Sequence, residues 1–308
     1  MKTHRLRIKP LSSFLTPWQS DTIFGSLCWI MAWREGEDSL KKFLQEYKDG
    51  NPHFILSDGM PDNLLPAPAH LPLMIQKLDT LNEYQNAKSL KKVSWLTDTE
   101  FESVCTGKLE IQPQESKRPF KSFTTLHSSI NRISGTTGEE GSLFELEEYS
   151  LERADMKENV LSIYLKIKEG WEEQVISLFK DLSLVGYGRK KSIGKGSFEI
   201  IGRLEPFDKF DNFIGVNGFM TLSNFVPAKH DPTKGFYKTT VKYGKLGGEY
   251  TFTGKPFKRP LMMINTGASF YVEGDAKPFY GRMVEDIAPV KPEVIHYGYA
   301  FSVPIYIP

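Results

Sequence analysis

Leu184-Val-Gly-Tyr-Gly-Arg-Lys-Lys-Ser-Ile-Gly-Lys-Gly-Ser-Phe-Glu-Ile200 is the stretch on which the reading of this 308-residue chain turns. It sets Gly186, Gly188, Gly194 and Gly196 beside Arg189, Lys190, Lys191 and Lys195. Glycine permits φ > 0 and close approach of main chain to a ligand, and clustered cations supply charge for several phosphates. Tyr187 offers a ring for stacking and Ser192 a hydroxyl. Upstream, Trp171, Val175, Leu178, Phe179 and Leu182 form the stripe of an amphipathic helix. Downstream, Phe198 and Ile200 share one face of a strand expected to end near Gly202. The order helix, loop, strand excludes the common nucleotide loops, which run strand, loop, helix. Spacing excludes them too: five residues separate Gly188 from Gly194, Lys195 is followed by Gly196, and Lys191 stands where a dinucleotide fingerprint needs its third glycine.

Toward the N-terminus, Thr3 to Lys9 alternates, with Leu6 and Ile8 on one face and Arg5, Arg7 and Lys9 on the other, as in a half-buried strand. Ser20 and Asp21 are N-cap candidates for an apolar helix reaching Trp33, and the amides at its start could hold a phosphate. A charged helix follows over residues 35 to 51, then a short strand at Phe54–Leu56. From Met60, where four prolines fall within thirteen residues, to about residue 123 the periodicity is weak and reads as a large insertion. Thr124–Ile133 and Ser142–Tyr149 are strand-like and flank the glycine-rich turn 134 to 141, the pattern of a hairpin. After a polar connection at 206 to 211, strand-like runs at 213 to 225, 261 to 264 and 269 to 273 alternate with Gly and Pro turns.

The glycine- and lysine-rich loop before a strand resembles the G-loop of the RAMP superfamily, RNA-binding proteins of CRISPR effector complexes. Ser20-Asp-Thr-Ile-Phe-Gly25 resembles the opening of that family's first helix, and Ile130-Asn-Arg-Ile-Ser-Gly135 followed by Gly141-Ser-Leu-Phe144 resembles its projecting thumb. Looser segments, among them Ser223–Pro227, Lys258–Met262, Thr266–Phe270 and His296–Phe301, are similar to the branch that caps the 5′ handle of the guide RNA (crRNA) in type III-A (Csm) complexes. The resemblance implies an α+β chain of two ferredoxin-like (RRM-like) units. Residues 1–205 would carry the insertion, thumb and G-loop, and 206–308 would be degenerate and β-rich. It implies RNA contacts at His127, Asn131 and Arg132 as well as at the first helix and the G-loop. The expected partners are the crRNA handle, target RNA near it, a large polymerase-like subunit and the backbone RAMP subunits.

Lysine plus arginine total 39 against 38 acidic residues, so any RNA binding rests on local charge. Basic runs at 88–92, 117–121 and 255–259 each lie near an aromatic residue, and a solvated surface accounts for any one of them alone. Cys28 and Cys105 lack metal-ligand spacing, which argues against a disulfide framework and a zinc site and fits a cytoplasmic protein. The longest apolar run, Ile23 to Trp33, is about half of a membrane span of roughly 20 residues. His4, His53, His70, His127, His230 and His296 are scattered, His230-Asp231 is followed by proline, and no GxSxG elbow occurs, so the expectation is no enzyme and no cofactor. The competing expectation is a RAMP endoribonuclease acting on precursor guides through His127 or His4.

Overall fold

The computed structural model describes residues 1–74, 80–109, 111, 119–137, 143–152, 159–211, 213–247, 250, 256–289 and 291–308. Residues 138 to 142 of the expected hairpin, Lys117 and Arg118 of one basic run and Lys255 of another lie outside them. The N-terminal part runs β1 (Lys2–Pro10), α1 (Ser20–Glu35), α2 (Glu37–Lys48), β2 (Phe54–Leu56), β3 (Met60–Pro61), β4 (Leu64–Pro66), α3 (Leu81–Leu90), β5 (Trp95–Thr97) and α4 (Asp98–Cys105). It continues through β6 (Phe120–Ser128), β7 (Leu143–Leu151), β8 (Leu161–Ile167), α5 (Glu172–Val185) and β9 (Phe198–Pro206).

The first sheet has the order β2-β8-β1-β9, with every pairing antiparallel. Because α1 joins β1 to β2 and α5 joins β8 to β9, the path is the β-α-β-β-α-β of a ferredoxin-like unit. The two helices bury Ile23, Phe24, Leu27, Ile30 and Met31 of α1 and Val175, Leu178, Phe179 and Leu182 of α5 against Leu6 and Ile8 of β1. This is the stripe the sequence spacing calls for. All seven residues of β8 are buried, since helices cover one face and the C-terminal half covers the other. On the second face the Tyr164 ring meets Phe207, Phe210 and Phe301, and the Lys166 ammonium donates to the carbonyls of Pro278 (2.9 Å) and Ser302 (2.7 Å).

The expected insertion is more than a surface excursion. Leu65, Leu71, Leu96, Phe101, Val104 and Cys105 belong to the main core, and Thr97 and Glu100 close a capping box that starts α4. β9 does not stop near Gly202. That residue takes φ +70° where the register with β1 shifts, and the strand runs on to Pro206 while Arg5 and Arg7 both donate to the Glu205 carboxylate.

The C-terminal part comprises β10 (Gly218–Thr221), β11 (Gly235–Phe236), β12 (Thr239–Lys242), β13 (Leu261–Ile264), β14 (Ser269–Tyr271), β15 (Phe279–Gly281) and β16 (Tyr299–Ile305), with no α-helix among its described residues. Only Gly218–Thr221 of the run 213 to 225 is strand. The second sheet is ordered β11-β14-β10-β16-β15, and β12 pairs with β13 apart from it. The main core continues through residue 205, taking in Met220, Leu222, Tyr297, Tyr299, Phe301 and Val303. The Leu56 amide donates to the Tyr297 hydroxyl (3.0 Å) and the Tyr299 hydroxyl donates to the Tyr47 carbonyl, so polar groups also cross between the halves. No helix among the described residues is long and apolar enough to cross a membrane.

Candidate nucleic-acid interface

The loop after α5 is held against the segment that follows β1. Amides of Arg189 and Ser197 donate to the hydroxyls of Thr16 (3.1 Å) and Ser12 (3.0 Å), and the Gly196 amide donates to the Ser13 carbonyl (2.9 Å). The Tyr187 amide closes the loop on the Gly196 carbonyl (2.9 Å). A Cβ at Gly188 would come within 2.7 Å of Thr16, and one at Gly196 within 2.0 Å of the Tyr187 carbonyl, so these glycines serve packing within the protein. Gly186 is buried as well, whereas Gly194 is exposed with nothing near its Cβ position, its amide turned in on the Lys191 carbonyl (3.0 Å).

Within this frame the loop turns its polar side chains outward. Arg189, Lys190, Lys191 and Ser192 are exposed. Lys190 adopts φ +61°, a left-handed conformation uncommon outside glycine, and its carbonyl accepts from the amides of Ile193 (3.1 Å) and Lys195 (3.3 Å). Two of the expected contacts fall away. Tyr187 is 1% exposed, stacks on Trp18 at 4.0 Å and donates its hydroxyl to the Pro17 carbonyl (2.7 Å), so it cannot receive a base. The Lys195 ammonium is spent on the Glu148 carboxylate at 2.6 Å.

Glu148 ties the loop to the hairpin. It stands on β7 with a fully buried side chain and accepts from Lys195, from the Ser13 hydroxyl and from the Thr125 hydroxyl (2.8 Å) on β6. Burial works to raise its pKa, but the hydrogen bonds from Lys195, Ser13 and Thr125 outweigh that and hold it down at about 2. His127 shares the junction, its Nε2 3.0 Å from the Thr125 hydroxyl and its ring stacked on Phe144. Lys190 reaches the other way, with its ammonium 5.6 Å from the Phe144 centroid.

The hairpin itself pairs β6 with β7 from Phe120↔Leu151 to Ser128↔Leu143. Beyond it the Asn131 side chain accepts from the amides of Ile133 (2.9 Å) and Ser134 (3.4 Å), shaping the turn, while Arg132 is exposed. Leu126, Ile130, Ile133 and Leu143 are exposed too and give the hairpin an apolar surface.

The start of α1 overturns another expectation. Gln19, not Ser20, occupies the N-cap; Ser20 and Asp21 are helical and buried. The Ser20 amide donates to Asp58 (2.8 Å), and Asp21 forms an ion pair with Lys242 from β12 and lies 3.2 Å from His296 Nε2. Burial would raise the Asp21 pKa, but Lys242 and His296 more than offset it. Burial pushes His296 down to about 4 despite Asp21, and pushes Asp58 up to about 6 against the bonds from Thr266 and the Ser20 amide. The positive end of this helix is therefore neutralised from within. Among the described residues no group of three or more His, Cys, Asp or Glu side chains is placed to hold a metal.

Structural comparison finds this fold in chains spanning nearly the same length. A chain of the crystal structure described as the Csm1-Csm4 cassette in complex with pppApA shares 17% identity with TM-score 0.63 over 99% of both chains. The cassette with cA3 gives TM-score 0.64 at 17% identity, again over 99% of both chains. The Csm3-Csm4 subcomplex of the type III-A CRISPR-Cas interference complex gives 0.61 at 15% identity over 99% of both. No curated protein matches the sequence. The family model of the RAMP superfamily matches residues 19–199, more than half the chain, from α1 through the G-loop into β9; the chain belongs to the RAMP superfamily.

Proposed function

We propose that this chain is a noncatalytic RNA-binding subunit of a type III-A CRISPR effector, one that recognises the 5′ handle of the guide RNA and seats a large polymerase-like subunit at that end. The observation that carries the reading is the outward display of Arg189, Lys190 and Lys191 at the foot of the β6–β7 hairpin, on a loop whose glycines and fourth cation are used up in holding its shape. Such a loop grips phosphates without reading bases, and an apolar hairpin beside it displaces or shields a nucleotide by shape. The neighbours support the choice of complex: Csm4 is the component common to the Csm1-Csm4 and Csm3-Csm4 structures, and each match extends over 99% of both chains. By analogy, this chain contacts the large subunit, the backbone RAMP subunits and target RNA near the handle. His4 on β1 is buried with its Nδ1 3.1 Å from the Lys2 carbonyl, and His127 is engaged at the Glu148 junction, which favours a binding role over cleavage.

The test is the triple change Arg189→Ala, Lys190→Ala and Lys191→Ala, followed by guide RNA binding across a salt series. Each lost phosphate contact should flatten the logarithmic salt slope by about 0.7, roughly 2 for the three. An unchanged slope removes the clamp. RNA incubated with the chain and Mg²⁺ or Mn²⁺ should stay intact, and cleavage abolished by His127→Ala would install the endoribonuclease reading instead.

A further inference from the structure

The G-loop does not end at its own cations. Lys191 extends back over α1, and its ammonium lies 5.4 Å from the ring centroid of Trp33 in the last turn of that helix. Trp33 is 55% exposed, whereas Ile23, Leu27, Ile30 and Met31 of the same helix are buried. One turn earlier Trp29 packs beside it with centroids 5.9 Å apart, and Trp29 in turn meets Tyr250 at 5.6 Å. The Lys291 ammonium sits 4.6 Å from the Tyr250 centroid. The result is a row of three rings with a cation at each end, leading from the G-loop to the C-terminal half.

Trp33 and Trp29 together set an aromatic surface beside a cation of the G-loop. Its mount is firm: the neighbouring Arg34 donates to Ser177 and Asp181 of α5, each at 2.9 Å, and Trp29 is wedged against Gly247, where a Cβ would come within 2.8 Å of the indole nitrogen. A rigid, exposed ring beside a phosphate-seeking ammonium is the arrangement that receives a nucleotide, whose phosphate and base are separated by one sugar. An apolar protein partner would have to leave Lys191 and its neighbours Arg189 and Lys190 facing its surface.

We propose that Trp33 is a base-stacking position for single-stranded RNA: a nucleotide whose phosphate is held by Lys191 lays its base on the open face of this ring, while Trp29 and Tyr250 back it. The inference rests on the RNA-binding reading above and adds to it a contact outside the G-loop and hairpin. It sets the path of the strand, from the loop across the last turn of α1 toward the C-terminal half.

The experiment compares the full chain with Trp33→Leu, Trp33→Tyr and the triple G-loop variant, using fluorescein-labelled oligoadenylate and oligouridylate with a duplex RNA of equal length as control. Trp33→Leu should weaken single-strand binding roughly tenfold without changing the salt slope, because stacking releases no counterions, and Trp33→Tyr should retain most of the affinity. Duplex binding should not respond. Trp33→Leu binding like the wild type overturns the proposal, as does a loss that the tyrosine variant shares in full. If the triple variant loses affinity and slope while Trp33→Leu does not, the stacking site alone is wrong; if neither variant changes binding, the RNA-binding reading itself fails. If RNA binding is untouched but Trp33→Leu no longer co-purifies with other subunits of the effector, the face is a protein interface and the proposal falls.

Discussion

The G-loop and the first turn of α1 both offer backbone amides and charge to a phosphate, yet only one of them is open. In the G-loop the packing contacts fall on glycines and on Lys195, leaving Arg189, Lys190 and Lys191 in water. At the start of α1 the protein supplies its own anion: Asp58 takes the Ser20 amide, and Lys242 and His296 gather on Asp21. The difference shows what local sequence can and cannot signal. A helix N-terminus becomes a ligand site only if the rest of the chain leaves it empty, and here Asp58, 38 positions on, fills it while Lys242 and His296, more than two hundred positions away, engage Asp21.

The largest effect expected from breaking this contrast is at Asp21. Asp21→Ala removes the carboxylate from the Lys242 ammonium at the seam between the halves, leaving it only the neutral Gln19 and Thr22 oxygens, and losing one partner of a largely buried pair costs up to about 3 kcal/mol. The urea midpoint should fall accordingly while the folded protein keeps its RNA affinity. Normal stability with impaired RNA binding would mean that the first turn of α1 contacts RNA after all.

A smaller and more local effect is expected at Glu148, which holds the open region in place. Glu148→Gln should loosen the hairpin from the loop and raise hydrogen exchange in β6 and β7 on the order of tenfold, with the α1 and α5 core unaffected. The same contact should be acid-sensitive. The folded pKa of about 2 lies below the ordinary 4.5, so the stabilisation is complete above pH 4.5 and is lost as the pH falls toward 2. Exchange in the two strands that ignores both the substitution and the pH would detach Glu148 from this role.

How far the sequence reveals these features depends on whether local pattern or distant contact decides them. The order helix, loop, strand around Gly186 to Gly196, the buried stripe of α5 and the alternation of β1 are written in neighbouring residues, and the structure has them. The exposed cations were legible for the same reason. Tyr187 was not, because its burial depends on Trp18 stacking on it from another part of the chain. Lys195 looks like its neighbours in sequence and is set apart only by Glu148, 47 positions earlier. The insertion hid its contribution to the core behind four prolines, although Thr97-Asp-Thr-Glu100 is a capping box that announces α4. Trp33 read as the end of a buried apolar run, and only the helix's orientation shows that it faces out.

The smallest effect belongs to Ser20, and it separates the two accounts of α1 by sign. A serine that capped the helix would lose about 1 kcal/mol on replacement by alanine. Here the hydroxyl is buried with no hydrogen-bond partner, and the Thr22 and Ile23 amides that a cap at Ser20 would serve already donate to the Gln19 carbonyl. Burying an unpaired hydroxyl is itself unfavourable, so Ser20→Ala should leave stability unchanged or slightly raised, and the RNA salt slope should not move. Thermal denaturation and salt-dependent binding of this one variant are enough. A loss near 1 kcal/mol would restore Ser20 as the cap, whereas a flattened salt slope would mean that RNA reaches a helix end the protein's own carboxylates already occupy.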